Sequence, residues 1–167
     1  GVKPNSPETG YGYIEAEVNH KAKHYNIKSF IEKPDKQNAT KYLESGNYFW
    51  NSGIFIFKAS IFLDEINKFE PKIFSCCEKS LQKGYKDLDF LRIDNVEFAK
   101  CPNQSVDYAV MEKTQNAKVV PLDADWNDVG SWDALIDTKD IDQNGNTIEG
   151  DVILDDVQNT YIYSSNN

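Results

Sequence analysis

The run Tyr48-Phe-Trp-Asn-Ser-Gly-Ile-Phe-Ile-Phe57 constrains the fold of this chain more than any other stretch. It is aromatic and β-branched enough to form a buried strand. Its polar centre is the anomaly: Asn51 and Ser52 interrupt the apolar sequence, and a buried amide without partners costs about 1–3 kcal/mol. One solution is a bulge at Gly53, with Asn51 bonded to neighbouring backbone. The other is a strand that opens at a pocket, where Asn51 meets the hydroxyls of a polar ligand. From these residues alone the two solutions stand equal.

The segments around that run alternate between strand and helix patterns. Pro7-Glu-Thr-Gly-Tyr-Gly-Tyr-Ile14 begins with turn chemistry and enters an alternating segment that reaches Val18. A second strand over residues 25–31 follows a polar tip holding His20 and His24, so the spacing predicts a β-hairpin. The histidines fit solvated turn positions. Pro34 ends the second strand and should push Lys33 toward extended backbone. Asp35 is placed to cap a helix running to Glu44, with Gly46 as its stop. Two amphipathic helices are expected over residues 60–69 and 71–83, the second opening on a proline. Residues 87–100 are less regular, with a short helix after Asp94. Residues 104–113 read as a helix capped by Ser105, placing Asp107 in its first turn, where a negative charge favours the helix dipole. Asp142-Gln-Asn-Gly145 supplies a tight turn, and residues 150–163 alternate like a strand.

Trp126-Asn-Asp-Val-Gly-Ser-Trp132 lies between an apolar run, residues 117–122, and a helix-like segment, residues 131–138. Strand-to-helix loops are where α/β proteins place ligands. Gly130 allows a turn that a side chain would obstruct, and Ser131 can cap the helix, whose first N–H groups can face an anion. Asp128 beside such amides makes chemical sense when a divalent cation stands between carboxylate and phosphate. A plain turn or capping role is the alternative.

With 167 residues, 18 basic against 27 acidic side chains and a net charge of −9, the chain lacks the basic clusters that nucleic-acid binding by counterion release requires. No apolar run approaches a membrane span and no signal segment opens the chain, so neither nucleic acid nor membrane is an expected partner and a cytoplasmic location is expected. Gly1 in place of an initiator Met suggests a piece of a longer protein. Cys76, Cys77 and Cys101 are expected to be reduced and mostly buried, without zinc-like spacing.

Five motifs, in this order and spacing, resemble those of the mannose-1-phosphate guanylyltransferases, within the sugar-phosphate nucleotidyltransferases. They are the segment from Pro7 to Ile14, Phe30-Ile-Glu-Lys-Pro34, Trp50-Asn-Ser-Gly53, Ser105-Val-Asp-Tyr-Ala-Val-Met-Glu-Lys113 and the Trp126 loop. The resemblance implies an α/β, Rossmann-like nucleotidyltransferase domain with a mixed sheet. It makes residues 1–149 the sugar-phosphate-binding half and residues 150–167 the start of a β-helical region. It also implies transfer of GMP from GTP to mannose 1-phosphate, giving GDP-mannose and pyrophosphate, with Mg2+ as cofactor and a homo-oligomer as a possible assembly.

By the same resemblance, Glu32 accepts hydrogen bonds from mannose hydroxyls and Lys33 neutralises the sugar phosphate. The turn Gly10, Tyr11, Gly12 admits close backbone approach, with Glu8 and Thr9 near the same pocket. Asn51, with Ser52 and Gly53, binds the sugar ring, and Asp128 holds the metal. Asp107 receives no secure role. The glycine-rich triphosphate loop and the first metal-binding aspartate of the family have no counterpart in these residues. The isolated chain is therefore expected to lack transferase activity and to self-associate, while keeping weak affinity for mannose 1-phosphate. A nucleotidyltransferase for another sugar or base, and a non-catalytic sugar-nucleotide-binding regulator, are the rival readings.

Overall fold

The computed structural model describes residues 1–19, 21–136 and 138–165, with the Asp133 side chain also left aside. His20, one of the two turn histidines, and Asp137, within the expected helix over residues 131–138, lie outside the described residues. Internal contacts divide the chain into two units, Gly1–Asp123 and Ala124–Asn167. The division comes earlier than the 149/150 boundary that the sequence suggests. A parallel pair joins residues on either side of that boundary, β7 (Thr147–Glu149) with β8 (Tyr161–Tyr163).

In the first unit, β1 (Tyr13–Ala16) and β2 (Tyr25–Ile31) form the expected antiparallel hairpin, with a bulge between Glu15 and Ala16. β3 (Tyr48–Trp50) flanks β1 and β6 (Lys118–Val119) flanks β2, giving the order β3-β1-β2-β6. All three pairings are antiparallel; Val2 adds an antiparallel bridge to Trp50 and a parallel one to Leu122. The period of two sorts the side chains between faces. Ile14, Ala16, Phe30, Phe49 and Val119 join one core, whereas Tyr13, fully buried, meets Tyr42 of α1 (Lys36–Ser45), with ring centroids 5.4 Å apart.

Local signals act where the sequence places them. Asp35 accepts the Asn38 N–H at 2.8 Å at the start of α1, and Gly46 closes that helix with φ 75°. α2 (Ala59–Phe69) and α3 (Pro71–Gln82) follow, then a hairpin of β4 (Tyr85–Asp87) and β5 (Phe90–Arg92), and α4 (Asn95–Phe98) capped by Asp94. α4 docks on α3 through Ser80, whose hydroxyl donates to the Asp94 carbonyl while the Asp94 N–H donates to the Ser80 carbonyl. Cys76, Cys77 and Cys101 are free, as expected, but half-buried rather than buried.

Four expectations fail. The aromatic run is not one strand: its ladder stops at Trp50, and Ile54 and Ile56 are exposed, because Asn51 spends its side chain on local and distant bonds and Gly53 turns the chain at φ 69°. Ser105 caps nothing. Residues Asp107–Met111 form a π-helix, with the Glu112 N–H reaching back to the Asp107 carbonyl. Lys33 is left-handed (φ 48°) rather than extended, since the Glu32 N–H leaves the ladder for the Glu112 carboxylate and the chain must reverse before α1. Residues 150–160 are not strand: Gly150, Asp156 and Asn159, all at positive φ, turn the backbone repeatedly.

The second unit holds α5 (Trp132–Ile136), preceded by Ser131, whose hydroxyl accepts the Ala134 N–H at 3.2 Å, and the β7–β8 pair. The expected turn is present, with Asp142 accepting the Asn144 and Asn146 N–H groups and Gly145 at φ 79°. Among the described residues no helix is long and apolar enough to cross a membrane.

Candidate functional site

Gly12, buried at the entry to β1, brings the ends of two strands together. Its carbonyl accepts the Asn51 N–H at 2.7 Å, and its missing side chain leaves room for Glu32. A Cβ there would stand 2.5 Å from Glu32 Oε2 and 3.2 Å from Asn51 Cβ. Glycine is the residue that lets these side chains meet over the backbone. Gly10 faces open space, Thr9 is exposed, Glu8 accepts the Ser6 hydroxyl, and Tyr11 packs edge-on against Trp50 at 5.1 Å.

Glu32 is the most constrained group. Its side chain is 11% exposed, and Oε2 is buried without a hydrogen-bond partner. Burial pushes its carboxyl above the ordinary range; the charges of Asp107 and Glu112 push the same way and Lys33 opposes them. The Lys33 ammonium lies 3.5 Å from Glu32 Oε1 yet is 62% exposed, so it remains available to an incoming anion.

Asn51 resolves its anomaly in two directions at once. Oδ1 accepts the Gly53 N–H at 3.1 Å, the local solution, and Nδ2 donates to Asp107 Oδ1 at 2.9 Å. Ser52 is half-buried beside it, on a groove of about 260 Å³ that also touches Ile54, Met111 and Leu122. The structure thus gathers Gly12, Glu32, Lys33, Asn51 and Gly53 and adds Asp107 and Glu112. The sequence signals Asp107 only as a helix-start carboxylate. A half-buried amide demands a partner without telling where, and this one lies 56 residues away.

Asp128 belongs to the second unit. It is exposed, its Oδ2 lies 2.9 Å from where a Gly130 Cβ would be, and Val129, at φ 48°, donates its N–H to Asn127 Oδ1. Contrary to the expectation for Gly130, its backbone is not at positive φ, and a Cβ there would meet only the tip of the exposed Asp128 side chain, which is free to turn away. Among the described residues no three His, Cys, Asp or Glu side chains gather as a metal site. A lone exposed carboxylate fits magnesium as one ligand of a set completed by phosphate oxygens and water.

A family model described as nucleotidyl transferase matches residues 1–145. A xanthan biosynthesis protein from Xanthomonas campestris is 53% identical over 99% of this chain and 35% of its own length. A putative mannose-1-phosphate guanylyltransferase from Vibrio cholerae is 49% identical over 99% of the chain and 36% of its own. Among solved structures, one titled mannose-1-phosphate geranyltransferase from Thermus thermophilus matches with TM-score 0.76 and 31% identity, over 90% of this chain and 42% of that one. Another, titled mannose-6-phosphate isomerase from Helicobacter pylori, matches with TM-score 0.68 and 33% identity, over 77% and 50%. The chain belongs to the nucleotidyl transferase family and has its α/β fold with mixed sheets, and it spans about a third of the length of the curated relatives it matches.

Proposed function

We propose that this chain supplies the sugar-phosphate side of a cytoplasmic enzyme that transfers GMP from GTP to mannose 1-phosphate, giving GDP-mannose and pyrophosphate. The observation that carries the reading is Glu32 Oε2, a buried acceptor without a donor, held beside the Gly12 backbone. An unmet acceptor in such a place is costly, and a sugar hydroxyl is the donor that would meet it. The names of the relatives, several of them mannose-1-phosphate guanylyltransferases, support the same substrate.

In this reading Glu32 and Asn51 hold the sugar ring and the exposed Lys33 swings to its phosphate. A phosphate oxygen of the sugar attacks the α-phosphorus of GTP, and the bond from that phosphorus to the β-phosphate oxygen breaks. The attacking oxygen is already anionic, so no protein base is required; positioning and charge neutralisation carry the step. Asp128 would hold a divalent cation, magnesium by its preference for carboxylate and phosphate oxygens, which when bound supplies charge neutralisation at the reacting phosphates. Residues 150–167 are read as the start of a β-helical region, their strand β8 pairing in parallel with β7 just before them.

The test is calorimetric titration of the full-length protein and its Glu32→Ala variant, which removes the acceptor, with mannose 1-phosphate and GTP. About tenfold weaker sugar-phosphate binding is expected in the variant, with GTP binding unchanged. Equal sugar-phosphate affinity in the two proteins would overturn the reading.

A further inference from the structure

We infer that Asp107 is a positioning residue that locks the Asn51 carboxamide in one of its two flip states and so decides which hydrogen-bonding groups that amide offers to substrate. A side-chain amide has an oxygen that accepts and a nitrogen that donates, and the two ends are nearly alike in shape. Bonding partners alone distinguish them. Here the partners are one-sided: the Asp107 carboxylate accepts from Nδ2, and the Gly53 N–H donates to Oδ1. Turning the amide over would set oxygen against carboxylate and NH2 against N–H. Both contacts would be repulsive, so the pair fixes the orientation from two sides. One N–H of Nδ2 and one lone pair of Oδ1 then remain for a ligand.

Asp107 reaches Asn51 from the π-helix, a geometry that recurs at functional sites. It also bears on the neighbouring acceptor, since its charge raises the Glu32 carboxyl, along with Glu112 from the end of the same helix and against Lys33. Asp107 therefore carries two separable properties, an accepting oxygen and a negative charge. Asp107→Asn keeps an oxygen acceptor and removes the charge; Asp107→Ala removes both.

The identity of the ligand rests on the function proposed above; the orientation of Asn51 does not. Full-length protein and both variants are titrated with mannose 1-phosphate across pH, and the side-chain NH2 resonances of Asn51 are followed by NMR without ligand. In Asp107→Ala, binding is expected to weaken about tenfold and the Asn51 NH2 signals to move toward those of a free amide. In Asp107→Asn, affinity well above the Glu32 transition is expected to stay within about threefold of wild type. The pH at which binding falls away should shift downward in both variants, because one charge opposing Glu32 ionisation is gone. Titration of the ligand's own phosphate is common to all three proteins and cancels in the comparison. Wild-type affinity in the alanine variant, equal losses in the two variants, or unmoved Asn51 signals would each overturn the inference. Failure of the wild type to bind the sugar phosphate would overturn the proposed function and the substrate role of Asp107 together, leaving the NMR result as the record of orientation alone.

Discussion

A methyl group on Gly12 would stand 2.5 Å from Glu32 Oε2, inside the closest approach that real Cβ atoms make. The carboxylate therefore lies over glycine backbone in space that a side chain would contest, with Asn51 Cβ 3.2 Å from the same methyl position. Gly12→Ala should force Glu32 or the start of β1 to shift, destabilising the fold by about 1–3 kcal/mol as overpacked sites do. In the full-length protein it should raise the KM for mannose 1-phosphate more than that for GTP. Denaturant melts with steady-state kinetics check both effects, and an unchanged sugar-phosphate KM would separate Gly12 from the site.

Lys33 is paired with Glu32 at 3.5 Å but is mostly solvent-exposed, so its contact with a phosphate would be screened by salt. Lys33→Ala should raise the KM for mannose 1-phosphate at low ionic strength. The gap between variant and wild type should narrow as salt is added, because screening weakens the wild-type contact. The measurement is KM against sodium chloride concentration; an unchanged KM at low salt would return Lys33 to the solvated surface.

Asp128 is the exposed carboxylate proposed to hold a divalent cation. Asp128→Asn in the full-length protein should cut kcat by about a hundredfold or more, as expected when several kcal/mol of charge stabilisation is lost. Mannose 1-phosphate affinity should change little. Turnover near wild type at limiting magnesium would remove Asp128 from the metal site.

Glu97 is held at a pKa of about 2 by Lys100, 2.8 Å away, and by Lys83 at the C-cap of α3. A carboxylate whose folded pKa lies below its unfolded value stabilises the fold above that unfolded value, about 4.5, and loses the contribution as pH falls toward 2. Urea melts between pH 6 and 2.5 should show wild type losing stability relative to Glu97→Gln as the pH drops. Parallel curves for the two proteins would show that the pair with Lys100 and Lys83 contributes no linkage. Glu32 has the opposite sign: with its carboxyl raised, it becomes less unfavourable to the fold as acid protonates it.

The features that sequence determined are those whose causes lie within a few residues. Asp35 and Gly46 bound α1 because a cap bonds the turn beside it and a left-handed residue ends it there. The hairpin of β1 and β2, Pro71 at the head of α3, Ser131 before α5 and the Asp142 turn follow from the same short reach. Motifs also pointed to Gly12, Glu32, Lys33 and Asn51, which the structure brings together. Asp128 was legible as a loop carboxylate beside Gly130, and its metal role remains a proposal.

Tertiary structure alone decided that the aromatic run ends as a strand at Trp50, that Lys33 turns left-handed and that Asp107, on a π-helix rather than under a Ser105 cap, is the partner of Asn51. Propensity and spacing describe what each residue accepts locally, and Asn51 accepts any good acceptor. Which acceptor arrives depends on the register that sets β3 beside β1 and on the path that returns the chain beside Asn51 after 56 residues. The Asn51 amide could name its need in the sequence, but only the packed chain could supply the oxygen.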